Sequence, residues 1–229
     1  MILNIETSQN YCSVALSNKE KTMDFIMSQQ PNNHSQEIGV FVDKILKKNQ
    51  IEVSDLEAIA VSSGPGSYTG LRIGVSMAKG LAYAANKPLI AVDTLSIMVQ
   101  KAIEQDCPKG NDYMFCPMID ARRMEVFFAF FDANGNRISE ISNIVLENKS
   151  FDKQLEKRQI VFLGNGSKKL KEIIENKNAI FVENIFPSSQ FMSKLSYKKF
   201  IEKIFENVAY FEPLYIKPFE ATKSKNKLW

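Results

Sequence analysis

Histidine is almost absent from this sequence: His34 is the single one among 229 residues. A metal site built from several histidines is thereby excluded, and a Ser-His-Asp or Cys-His centre would have to use that one ring. Cysteine is scarce as well. Cys12, Cys107 and Cys116 are an odd number without CxxC spacing, which argues against a disulfide framework and a zinc site. No apolar run approaches the ~20 residues that cross a bilayer. The opening MILNIETSQN has neither the basic nor the apolar region of a signal peptide. Basic side chains exceed acidic ones only slightly, 29 to 26, so charge alone makes no case for nucleic-acid binding. A reduced, cytoplasmic protein without membrane contact is expected.

What is present is the composition of an ordinary globular chain, 45% hydrophobic and 24% charged. ILNIETSQNYCSVALSN alternates apolar and polar residues on both sides of ETSQN, which predicts a β-hairpin with a polar tip; KTMDFIMSQ reads as a third strand. A helix follows over 34–48, with Ile38, Val42, Ile45 and Leu46 on one face and Asn33 with Gln36 as its start signal. His34 belongs to that helix start or to the surface rather than to chemistry. Next come a strand in LEAIAVSSG, a helix over 68–85 and a strand in PLIAVDT. A second hairpin begins in YMFCPMIDARRMEVFFAFF, its first strand ending at Asp120, with a turn at Asn134-Gly135. The strand QIVFLGNG, the helix SKKLKEIIEN, the strand AIFVEN and helices over 188–207 complete the chain. Twice, a hairpin with a polar tip leads into alternating helix and strand, an α/β architecture repeated with little sequence identity. The division is expected in the helix over 94–105 or in the loop after it, giving lobes of 1–99 and 100–229, with the last helices and tail packing back on the first.

The stretch SSGPGSYTGLRIG sits where a strand turns into a helix, as phosphate-binding loops do. It lacks the GxxxxGK[ST] of a Walker loop, and GxGxxG fails because Thr69 stands at the third glycine's place. Pro65 removes a backbone donor and Tyr68 adds bulk. Gly70, Gly74, Ala78 and Ala82 instead form a stripe of small residues on one helix face. Each interior glycine costs about 1 kcal/mol relative to alanine. Two explanations stay open for that cost: close packing within the chain, or a helix-to-helix interface with another subunit, with Leu71, Arg72 and Val75 at its margin.

GPGSYTGLRIGVSMAKGLAYAANKPLIAVDTL resembles the signature segment of the TsaB (YeaZ) family. ILNIETSQNYCSVALSN, IDARRMEVFFAFFD, LGNGS and EPLYIKPFEATKSKN are similar to further segments of it, so the resemblance spans almost the whole chain. It implies a two-lobed actin-like (ASKHA, sugar kinase/Hsp70-type) α/β fold, each lobe a mixed sheet with helices. It also implies a role in making N6-threonylcarbamoyladenosine (t6A) in tRNA. In that system the paralogue TsaD carries the transfer chemistry and the metal, and a P-loop ATPase, TsaE, joins them. The resemblance makes this chain their non-catalytic partner, touching tRNA indirectly. ATP and metal then belong to the partner subunits, and this chain needs no cofactor of its own. Its pairing surface is expected on Tyr68, Thr69, Gly70, Leu71, Arg72, Gly74, Val75 and Ala78, also used for a homodimer when the partner is absent. Gly74→Leu is expected to leave the chain folded and abolish pairing.

Active members of the wider superfamily carry an acidic residue at each lobe's hairpin tip, beside glycines that let the turns approach phosphate and Mg²⁺. The corresponding tips here are Glu6-Thr7-Ser8 and Asp120-Ala121-Arg122, without those glycines. With Gly164 and Gly166 of LGNGS, Glu6, Thr7, Asp120 and Arg122 describe a degenerate nucleotide cleft. LGNGS also reads as an ordinary turn capped by Ser167. The competing enzyme readings are an ATP-dependent kinase or transferase using Glu6 and Asp120, and a peptidase using His34. Lys223, Lys225 and Lys227 in the tail are either solvated or contacts to RNA phosphate or a partner.

Overall fold

The structure is a computed structural model and describes residues 1–105 and 112–216. Cys107 and the lysines of the tail lie outside these residues. The first sheet holds β1 (Ile2–Glu6), β2 (Ser13–Asn18), β3 (Lys21–Met27), β4 (Ala58–Ser62) and β5 (Leu89–Val92) in the order β3-β2-β1-β4-β5. The second holds β6 (Tyr113–Asp120), β7 (Glu125–Phe128), β8 (Ser142–Val145), β9 (Gln159–Leu163) and β10 (Ala179–Val182) in the order β10-β9-β6-β7-β8. Read from its other edge, the second sheet repeats the first. In each, the first three strands are antiparallel neighbours and the last two add in parallel to the first. This duplicated mixed sheet is the two-lobed actin-like architecture.

Helix α1 (His34–Lys48) and helix α2 (Tyr68–Ala85) cover one face of the first sheet. Leu3, Ile5, Val14 and Val61 meet Ile38, Ile45, Val75 and Ala78 there. The other face is covered by residues from the far end of the chain. Phe191 and Met192, from a short 3-10 turn (Ser189–Met192), bury Ile2, Ala58, Ala60, Ile90 and Val92. Helix α6 (Ser193–Ile201) continues over β1, β2, β3 and β5. Helix α3 (Thr94–Gln105), which follows the first sheet in sequence, packs Leu95, Met98 and Val99 on Phe115 and Val161 of the second. The two lobes therefore each seal the other's hydrophobic face.

Several local expectations change in three dimensions. Asn33 precedes α1, but its side chain makes no capping hydrogen bond. His34 is buried, its Nε2 2.6 Å from the Gln9 carbonyl oxygen, where it holds the first hairpin tip. The helix after LGNGS, α5, covers only Ser167–Lys171. The helix expected to reach residue 207 stops at Ile201, and Lys203 then takes a left-handed φ of 55°. Strand β8 and the single turn α4 (Asp152–Leu155) lie in a segment whose polarity hides them, because β8 is a largely exposed edge.

Candidate functional site

Glycines in the first strand-to-helix turn face inward. Ser67 caps α2, its Oγ accepting from the Gly70 amide at 3.2 Å, while its own amide donates to Ser8 O at 2.7 Å. A Cβ on Gly66 would overlap the Ser8 carbonyl, one on Gly70 the Thr7 carbonyl, and one on Gly74 the Thr7 hydroxyl. The chain's own hairpin tip thus occupies the space these glycines leave. Gly70, Leu71, Gly74, Val75 and Ala78 are all buried. The expectation that this stripe meets another subunit is corrected for these five, since residues sealed under the first sheet and its hairpin have no free surface. It follows that Gly74→Leu would disrupt the fold itself. Tyr68, Thr69 and Arg72 remain on the outer side. The Arg72 guanidinium lies 4.8 Å from the Tyr68 ring centre, and Tyr68 also packs on Tyr215 at 5.0 Å.

The second lobe repeats the device. GPGS at 64–67 and GNGS at 164–167 occupy equivalent turns after β4 and β9, a sequence echo that the hairpin patterns had overshadowed. Gly64 and Gly164 both take positive φ, 107° and 92°. The Gly166 amide donates to Met118 O at 3.1 Å, and a Cβ there would stand 3.0 Å from the Ile119 carbonyl carbon. Ser167 is not the cap: it is the first residue of α5, and its hydroxyl donates to Gly164 O at 2.8 Å.

Between the two tips lies a cleft of about 420 Å³, lined among others by Ser8, Ser67, Tyr68, Asp120, Arg122 and Tyr215. The six residues expected to share a nucleotide cleft are split. Asp120 and Arg122 line it, Gly164 and Gly166 are consumed in packing on β6, and Glu6 and Thr7 are fully buried behind the hairpin tip. Asp120 Oδ1 is engaged by Lys169 Nζ at 2.7 Å and by the Arg122 amide at 2.6 Å. The tight-turn glycine missing from this tip is replaced by Arg122 and Arg123 with φ of 73° and 48°. A Mg²⁺-nucleotide does not fit this donor set. One carboxylate is sealed, the other is paired with a lysine, and the turn that would cradle phosphate is filled by Ser8. Among the described residues no group of three or more His, Cys, Asp or Glu is placed to hold a metal ion.

Glu6 is the unusual group. Its Oε1 accepts from the Ser8 amide at 2.7 Å and from the Ser8 hydroxyl, while Oε2 has no hydrogen-bond partner. Burial pushes its carboxyl up to about 7, and the Ser8 and Ser62 groups offset only part of that rise. Cys12 close by is pushed up to about 12, first by burial and then by the Glu37 charge 3.9 Å from its sulfur.

On the far side of α2, a shallow groove of about 610 Å³ runs between α1 and α2, lined by Ser35, Ile38, Ile73, Ser76, Met77 and Leu81 among others. Gly80 also lines it, and a Cβ there would meet nothing within 4 Å. These residues were not expected at a site. The signal was available: Ile73, Met77 and Leu81 recur at helical spacing as a second apolar stripe beside the buried one. No helix among the described residues is long and apolar enough to cross a membrane.

A family model described as TsaD, tRNA N6-adenosine threonylcarbamoyltransferase, matches residues 26–210. The chain is 31% identical over 222 residues to the tRNA threonylcarbamoyladenosine biosynthesis protein TsaB of Escherichia coli, covering 94% of each. The tRNA N6-adenosine threonylcarbamoyltransferase of Anaplasma marginale is 39% identical over 108 residues, 41% of this chain and 32% of that one. Among solved structures, YeaZ from Pseudomonas aeruginosa superposes with a TM-score of 0.79 at 25% identity, over 93% of this chain and 98% of that one.

Proposed function

The chain belongs to the TsaB (YeaZ) family, and on that premise we propose that it serves t6A biosynthesis as a non-catalytic subunit, docking a TsaD-type transferase on its α1–α2 face. One observation carries the reading. The first turn that would have to hold phosphate is filled by the chain's own hairpin tip and the second is packed against β6, whereas the outer side of α2 leaves an apolar groove with open space above Gly80. An interior glycine destabilises a helix by about 1 kcal/mol relative to alanine. Gly70 and Gly74 recover that cost by internal packing, and Gly80 recovers it only if another molecule approaches. In this reading ATP and metal belong to the partner subunits, a TsaE-type ATPase joins the pair, and the same groove forms a homodimer when the transferase is absent.

The test is a reconstitution with unmodified tRNA, the threonylcarbamoyl donor, the transferase and the ATPase, read by nucleoside mass spectrometry. Product is expected only when this chain is present. Ile73→Glu and Gly80→Glu should abolish pairing and product while the isolated chain keeps its melting temperature within a few degrees. Asp120→Ala should support product as the wild type does. Product without this chain would overturn the assignment. Loss of product in Asp120→Ala with the complex intact would instead identify the cleft as active.

A further inference from the structure

A seam rich in hydroxyls separates the first sheet from the segment at 188–192. Glu6 and Ser13 are paired across β1 and β2, and the Ser189 amide donates to Ser13 Oγ at 2.9 Å. Glu6, Ser13, Ser62, Ser188 and Ser189 are each no more than 1% exposed. Glu6 is the only buried carboxylate among the described residues.

The groups that face Glu6 offer it no cation. From its own strand end come the Ser8 amide and hydroxyl, and from β4 the Ser62 hydroxyl, which also accepts from the Thr7 amide at 3.3 Å. The start of β2 presents the Cys12 thiol, itself beside Glu37 of α1. His34 of α1 is engaged one step away, at Gln9 O. The 188–192 segment meets this end of the sheet through the Ser189 amide on Ser13 Oγ, across the strand pair from Glu6, and its Ser188 and Ser189 hydroxyls have no hydrogen-bond partner. An ionised carboxylate in such a place is strongly disfavoured unless water reaches it. The route for water is short, because Ser8, which bonds Glu6, forms a wall of the interlobe cleft together with Gln9 and Asn10.

We propose that Glu6 is a proton-operated latch on the first hairpin tip. As the neutral acid it stays sealed and the tip stays seated on Gly66, Gly70 and Gly74. When its proton leaves to solvent, the carboxylate draws in water and the tip loosens, changing one wall of the cleft and the seat of α2 together. The carboxyl, held up at about 7 by burial, places this event at neutral pH. Because the folded value lies above the ordinary carboxyl value of 4.5, the acid form stabilises the fold fully below pH 4.5. That contribution is lost as pH rises through about 7. The gap corresponds to a change of up to about 300-fold in the folding equilibrium.

Amide exchange read by mass spectrometry on the full chain, corrected for intrinsic pH dependence, tests the latch. Protection of residues 7–12 should fall at least about tenfold, relative to residues 58–62, between pH 5.5 and pH 8.5. In Glu6→Gln it should not change. Equal loss in both proteins, or none in the wild type, would overturn the proposal. If Glu6→Gln fails to fold, an NMR titration of the Glu6 carboxyl carbon in the wild type decides: a midpoint near 7 supports the latch, and an ordinary carboxylate midpoint rejects it.

Discussion

Glycines in one helix can answer opposite demands. Gly74 and Gly80 both weaken α2, yet a side chain on the first would run into Thr7 while one on the second would meet nothing. Gly80→Ala should therefore raise stability by up to about 1 kcal/mol, and Gly74→Ala should lower it, both measured as shifts in urea midpoint. Equal effects would mean that Thr7 is not the neighbour that matters. The cost of these glycines is legible in the sequence, since it follows from the missing Cβ. The identity of the neighbour is not, because Thr7 lies 67 positions away from Gly74 and only the pairing of β1 with β4 brings it under the helix. Glu6 shows the same limit. Its place at a hairpin tip could be read from the alternation around ETSQN, but its complete burial beside Ser62 of β4 could not.

At the scale of elements, strong local signals agree with the structure where burial and periodicity act together. The 15 residues of α1 and the 18 of α2 begin and end at the positions their apolar spacing predicts. Ser67 caps α2 through its side chain, so Ser67→Ala should cost about 1 kcal/mol, seen as a lower urea midpoint with an unchanged slope. Ser167 stands in the equivalent GNGS turn and bonds Gly164 O instead, so Ser167→Ala tests a loop contact rather than a cap. Strand β8 escaped the pattern for a physical reason. An edge strand that is exposed on most of its length carries no alternation for the eye to find, and it forms because β7 offers it a row of free backbone groups.

For the whole molecule, the decisive feature is exchange between the lobes. The 3-10 turn and α6 cover the first sheet, α3 covers part of the second, and Thr22 ties the two halves by donating to Gln190 O at 2.8 Å beside Ser193 Oγ at 2.7 Å. Thr22→Val keeps the shape but removes both contacts and leaves partners unsatisfied in a half-buried seam. It should destabilise the protein by about 1–2 kcal/mol, with one cooperative unfolding transition, because neither sheet keeps its cover when the other is lost. Two separated transitions would show that the lobes fold alone.

By itself the sequence determined the strand-helix alternation, its duplication and the family. Hydrophobic period, turn residues and motif spacing are local properties, and they are present in the unfolded chain. Tertiary structure alone decided which side of α2 is free, which carboxylate reaches the cleft and which is sealed. Those outcomes depend on residues brought together across the two sheets, and on whether the space beside a glycine is already filled by the chain itself.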